Sequence, residues 1–265
     1  GRWSGLRSET RHALMFEPLW LVALQTQAAP FEGRADLDRQ LRAVQYNNVF
    51  GLETFVSPYS SSYYPNQQVI TAYTFGSGNQ LFGSSAALAA ATNTINNQSG
   101  DVDGYDALEY ALKSAGYTSQ FRSGTIRYVT LVTDTYRELK LTSLTESSAL
   151  KLLQDNNTRL IAVVNASLKG TDGSTLAAVF KDSSGNLVGI RADGSNSRVA
   201  VASTTGRYYY GSTDEIKDYY VKLALDSGGV VGDETLIGTS LGGTLANALL
   251  SAIGESVVKP NLASI

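Results

Sequence analysis

The chain lacks cysteine altogether and carries a single histidine, His12, and a single methionine in 265 residues. Disulfides, thiolate metal centres and cysteine nucleophiles are therefore excluded by inventory, and histidine-rich metal sites with them. Charge is also scarce: 17% of residues are charged, the net charge is −3 and the pI is near 5.3. A surface that tracks phosphates needs clustered Lys and Arg, so nucleic acid is excluded as a partner class. The longest apolar stretch, Leu19–Leu24, is far short of the ~18 residues that a membrane-spanning helix requires. Nothing in the first residues reads as a signal peptide.

What is present is a large apolar fraction, 43%, enough to bury a core and exclude a wholly disordered chain. The abundance of Gly, Ser, Thr, Asn and Tyr points to an extracellular or cell-surface protein of a microbe. The length suits one α/β domain with insertions.

Residues 1–14 form a polar, basic N-terminal segment, GRWSGLRSETRHAL, with no strand-like apolar face. Helical spacing predicts helices over Phe16–Ala28 and Leu37–Val44, divided by the turn signal Pro30–Gly33. Strands are predicted at Val49–Val56 and Val69–Phe75, then a helix from Ala86 to Ile95 capped by Ser84 or Ser85. A helix over Asp106–Ala115 precedes Thr125–Val132, a continuous apolar run with β-branched residues of the kind found in strands buried on both faces. Glu146–Leu153 reads as a helix and Leu160–Val164 as another buried strand. This alternation predicts a doubly wound, mainly parallel central sheet flanked by helices. Residues 170–211 break the pattern with short strands and Asp-Gly, Ser-Gly and Asn-rich turns, a β-rich insertion. Asp214–Leu225 is a helix, Val230–Val231 a short strand and Thr244–Ile253 a last helix.

Several motifs invite chemistry. Gly238-Thr239-Ser240-Leu241-Gly242 matches the nucleophile elbow G-x-S-x-G. That fold places its histidine after the serine, whereas His12 precedes it, so a serine hydrolase is only the alternative reading. Asp182–Asn186 reads as a hairpin turn between alternating strands. Asp101, Asp103 and Asp106 form a small acidic cluster that could attract Ca²⁺ but lacks the spacing and distal Glu of an EF-hand, and helix capping and the helix dipole are the better explanation. Tyr59, Tyr63 and Tyr64, and Tyr208–Tyr210, form tyrosine-rich stretches suited to protein contact.

The order of these pieces resembles the von Willebrand factor A family in its bacterial form, over roughly residues 15–255 of a domain expected to span 15–258. Gly100-Asp101-Val102-Asp103-Gly104-Tyr105 leads into a helix, and Tyr128–Asp134, YVTLVTD, is similar to the family's apolar strand ending in Thr-Asp. Tyr219–Val231, YVKLALDSGGVV, looks like its late helix, Gly-Gly turn and edge strand, and NNVFGLETF from Asn47 like the strand after the first helix. The resemblance implies a Rossmann-like sheet and a metal-ion-dependent adhesion site for Mg²⁺ or Ca²⁺, with Asp134 and Asp101 as metal ligands. The family's first-loop Asp-x-Ser-x-Ser has no counterpart: the corresponding residues, Thr10–Met15, read TRHALM. Either the adhesion site has degenerated, or the first strand is missing or supplied by another molecule. The expected function is a non-enzymatic binding, adhesion or assembly module acting by protein–protein contact or self-association, with Tyr59, Tyr63, Tyr64 and Asp103 in the contact surface. The alternative within the same class is a structural subunit of a filament or surface assembly, completed by a partner's strand.

Overall fold

The middle of the molecule is built on three parallel strands whose residues face apolar surroundings on both sides. In the computed structural model, residues 20–26, 49–56, 69–76, 80–92, 103–114, 120–121, 126–133, 144–206, 218–237 and 239–257 are described. The strands are β1 (Trp20–Thr26), β2 (Val49–Val56), β3 (Val69–Ala72), β4 (Ile126–Thr133) and β5 (Thr158–Val164). They continue with β6 (Ala166–Gly170), β7 (Leu176–Lys181), β8 (Leu187–Arg191), β9 (Arg198–Gly206) and β10 (Val230–Asp233). The helices are α1 (Ser85–Thr92), α2 (Gly104–Glu109), α3 (Glu146–Asp155), α4 (Asp218–Asp226) and α5 (Gly242–Val257).

The strands follow the spatial order β3-β2-β1-β4-β5-β10-β7-β8-β9-β6. β4, β5 and β10 run parallel, with Leu131 opposite Ala162 and Val231 opposite Ala162 on the far side. All the other pairings are antiparallel. The fold is thus α/β, with a mixed sheet and flanking helices, and its parallel part is confined to the central three strands. The continuous apolar runs predicted as neighbouring buried strands are neighbours: Val129, Leu131, Leu160 and Ala162 are fully buried. Burial on both faces removes any need for alternation, which is why these strands read as unbroken apolar runs.

One face of the sheet packs α2, α3 and α4 against Val129, Leu131, Leu160, Ala162 and Val231. The opposite face packs α5, through Leu245, Ala248 and Ala252, on Ile161, Val163, Ala178 and Phe180. Both ends of the crossovers are marked locally. Thr145 caps α3 by accepting from Ser148 N–H, while Ser148 Oγ accepts from Thr145 N–H, a reciprocal pair at 3.2 and 2.8 Å. Gly229, in the tight turn between α4 and β10, lies so close to β5 that a Cβ there would sit 1.8 Å from the Leu160 carbonyl oxygen. Only glycine permits that approach.

Two expectations are corrected. The segment Phe16–Ala28, predicted as helix, contains a strand instead: β1 pairs with β2 on one side and β4 on the other. A short apolar run fits either period, and pairing between two strands decided the outcome. The β-meander expected within residues 170–211 is present as β7, β8 and β9. β7 pairs with β10, so the β7-β8-β9 meander prolongs the main sheet, and β9 then pairs with β6. The helix predicted from Asp106 opens at Gly104 and widens into a π-helical turn over Tyr110–Ser114. The predicted helix Leu37–Val44, the segment 1–14 and Tyr208–Tyr210 lie outside the described residues.

Candidate functional site at the carboxyl edge of the parallel strands

In sheets with parallel strands, ligands are held beyond the carboxyl ends of those strands, where side chains and helix starts converge. Here that edge is in register across three strands: Thr133 is opposite Val164, and Val164 is opposite Asp233. Alternation places these three on the face shared with Leu131, Ala162 and Val231, beneath α2 and α4. Thr133 is 2% exposed and Asp233 1%, unusual burial for polar side chains at a strand end.

The start of α2 reaches the same place. Asp103 is its N-cap, wholly buried, and its carboxylate accepts from the Tyr105 N–H at 2.9 Å. The next residue, Gly104, donates its N–H to the Tyr220 hydroxyl of α4 at 2.8 Å. A Cβ at Gly104 would lie 2.8 Å from Leu131 Cδ2 and 2.9 Å from the Tyr220 hydroxyl, so the helix start is seated directly against β4 and α4. The rings of Tyr105 and Tyr220 meet edge-on, 5.8 Å between centroids.

The third element is the turn after β10. Asp233 accepts from the Thr235 N–H at 3.0 Å and from the Thr235 hydroxyl at 2.6 Å, closing the 3-10 turn Glu234–Leu236. In the chain, Asn165 directly follows Val164 of β5, and its side-chain carbonyl oxygen is buried and without a partner. A buried acceptor left unpaired costs about 1–3 kcal/mol, a cost that proteins more often carry at working sites than elsewhere.

Of the residues singled out in the sequence, Asp103 belongs to this edge as a helix cap. Asp101, Asp134, Tyr59, Tyr63 and Tyr64 lie outside the described residues. Sequence reading missed Thr133, Asn165 and Asp233. The signal available was that each ends, or directly follows, an apolar strand. Among the described residues, no three His, Asp or Glu side chains converge in a way that could hold a metal ion. The Asp103 and Asp233 carboxylates each accept from local N–H or hydroxyl donors through Oδ1.

Ser240 is exposed, in the turn before α5. Among the described residues, the 3-10 turn Glu234–Leu236 stands between β10 and that position, where a nucleophile elbow would pass directly from strand through one tight turn into a helix. The neighbouring Thr239 caps the turn, donating its hydroxyl to the Leu236 carbonyl at 2.7 Å and accepting from the Leu241 N–H at 3.1 Å. Asp182 accepts from the N–H groups of Ser184 and Asn186, as a hairpin turn between β7 and β8 requires. No helix among the described residues is long and apolar enough to cross a membrane.

No family model matches the chain, and neither a curated protein nor a solved structure matches it.

Proposed function

We propose that the chain is a non-enzymatic, extracellular or cell-surface binding or assembly module, of the kind the von Willebrand factor A resemblance implies, acting through protein–protein contact. The observation that carries this reading is the in-register carboxyl edge, where Thr133, Val164 and Asp233 meet the start of α2 at Asp103 and Gly104. Two further features support it. The row β3-β2-β1-β4-β5-β10 has the numerical strand order of a doubly wound fold, although the pairings β3–β2, β2–β1 and β1–β4 are all antiparallel. In the chain, Asp134 directly follows Thr133, and Asp101 stands two residues before Asp103, so both proposed ligand residues belong to the segments that lead from this edge.

Contact with the partner does not depend on a tightly held metal. Two carboxylates without first-loop hydroxyls supply too few fixed oxygens for the octahedral demand of Mg²⁺. In the strand-completed alternative, a partner's strand would add elsewhere than beside β4, where β1 is paired.

The test is capture on the immobilised chain of proteins exposed on the surface of its source cells. Asp134→Arg and Tyr63→Ala should each abolish the capture of at least one protein that the unaltered chain retains. Identical capture by all three, or ester turnover that vanishes in Ser240→Ala, would overturn the proposal. Calorimetric titration should show no micromolar Mg²⁺ site, and such a site lost in Asp134→Ala would reinstate metal-dependent adhesion.

A further inference from the structure

A second concave site lies at the other end of the molecule. The end of α4 and the β7–β8–β9 meander border an open cavity of about 290 Å³, lined by Lys181, Leu187, Thr204, Lys222, Leu225 and Asp226 among others. Its position follows from register. Phe180 is opposite Val230, so Lys181 lies at the amino end of β10, away from the carboxyl edge that ends at Asp233. Lys181 is paired across the hairpin with Leu187, which is 37% exposed, so an ammonium group and an apolar surface stand side by side. Leu225, almost fully buried, lines the same cavity from α4.

The two lysines are held apart and aimed by one carboxylate. Lys181 Nζ donates to Asp226 Oδ1 at 2.8 Å, and Lys222 Nζ donates to Asp226 Oδ2 at 3.1 Å and also to Glu146. Salt-bridging by Lys181, and then by Lys222, holds the Asp226 carboxyl below its usual range, so this bridge is ionised at neutral pH. An ammonium carries three donors, and one bond to Asp226 leaves two of them on Lys181. Within the cavity wall two cations face one anion. Fixing two long side chains in advance removes much of the entropic cost of gathering them around a ligand.

We propose that this cavity binds a monocarboxylate carrying a compact apolar body, with the carboxylate between Lys181 and Lys222 and the apolar group against Leu187 and Leu225. The carboxylate completes the donor sets of both ammonium groups, and Thr204 adds a hydroxyl at the wall. A free organic acid and the C-terminal residue of a protein present this same chemistry. The site is separate from the carboxyl edge and does not depend on the function proposed there.

The experiment is an NMR titration of the labelled full chain with 4-methylpentanoate, 4-methylpentanamide and N-acetyl-leucine. The acid should give saturable shifts at millimolar concentration, confined to α4 and the β7–β8 hairpin, while the uncharged amide should bind at least tenfold more weakly. Lys181→Met and Lys222→Met should each weaken the acid about tenfold, the loss expected for one charge-assisted hydrogen bond. Glu146→Gln releases Lys222 from a competing acceptor and should tighten binding several-fold, a gain that misfolding cannot mimic. N-acetyl-leucine binding more tightly than 4-methylpentanoate assigns the site to a peptide end, and the reverse order assigns it to a free acid. No saturable shift, equal binding of the amide, or no response to Glu146→Gln would overturn the proposal.

Discussion

At the scale of single residues, Glu53 is the most informative group in the core. It stands on β2 in register with Leu21 of β1, which in turn is opposite Leu131 of β4, and it is wholly buried with both carboxyl oxygens unpartnered. Burial alone pushes its pKa well above the ordinary value of 4.5. The sign of the consequence follows from linkage. Below pH 4.5 the carboxyl is protonated in both folded and unfolded chains, and the full stability is present. As pH rises above that value, the unfolded chain ionises while the native state holds its proton, so stability falls. It levels off only when the pH passes the folded-state pKa. Over that window the loss is about 1.4 kcal/mol for each pH unit. Glu53→Gln, a neutral group of the same shape, should remove this slope. Chemical denaturation from pH 4 to 8 checks it, and parallel curves for the two proteins would show that Glu53 is ionised in the fold.

At the scale of elements, the junction of α2, β4 and α4 holds the carboxyl edge together. Tyr220→Phe keeps the ring but removes the acceptor of the buried Gly104 N–H, and leaving such a donor unpaired should cost about 1–3 kcal/mol. Leu131→Ala opens a cavity in the same junction, with an expected cost of roughly 2–5 kcal/mol. The two losses should be less than additive in the double mutant, because both loosen the same contact between Gly104 and its neighbours. Urea denaturation of the single and double mutants measures this coupling, and strict additivity would mean that α2 is held elsewhere.

At the scale of the whole molecule, β1 is the strand on which the sheet depends. Among the described residues it links the β3-β2 pair to β4 in the hydrogen-bonded order. Proline at Ala23, opposite Gly51 on one side and Val129 on the other, cannot donate to the ladder and is not accommodated in a central strand. Ala23→Pro should therefore free the edges of β2 and β4, and unpaired edges recruit other chains. Light scattering on the purified variant should show more association than the unaltered chain measured at the same concentration. A monodisperse Ala23→Pro variant with an unchanged melting midpoint would remove β1 from the centre of the fold.

Much of this architecture is legible in residue order. The runs at Ile126–Thr133 and Thr158–Val164 announce buried parallel strands because burial on both faces selects unbroken apolar sequence. Thr145 and Ser148 mark the start of α3 through their own hydrogen bonds, and Asp182 to Asn186 closes its turn locally. Such features are determined within a few residues, so sequence alone determines them. What tertiary structure decided is everything that depends on a distant neighbour. WLVALQT is compatible with helix or strand until β2 and β4 flank it, and the meander after β6 joins the main sheet only because β10 offers β7 an edge. Thr133 and Asp233 become one site through the register of β4, β5 and β10, and Lys181 meets Asp226 across 45 residues because α4 packs over the meander. Side-chain convergence of that kind is a property of strand pairing and helix packing, which no local pattern encodes.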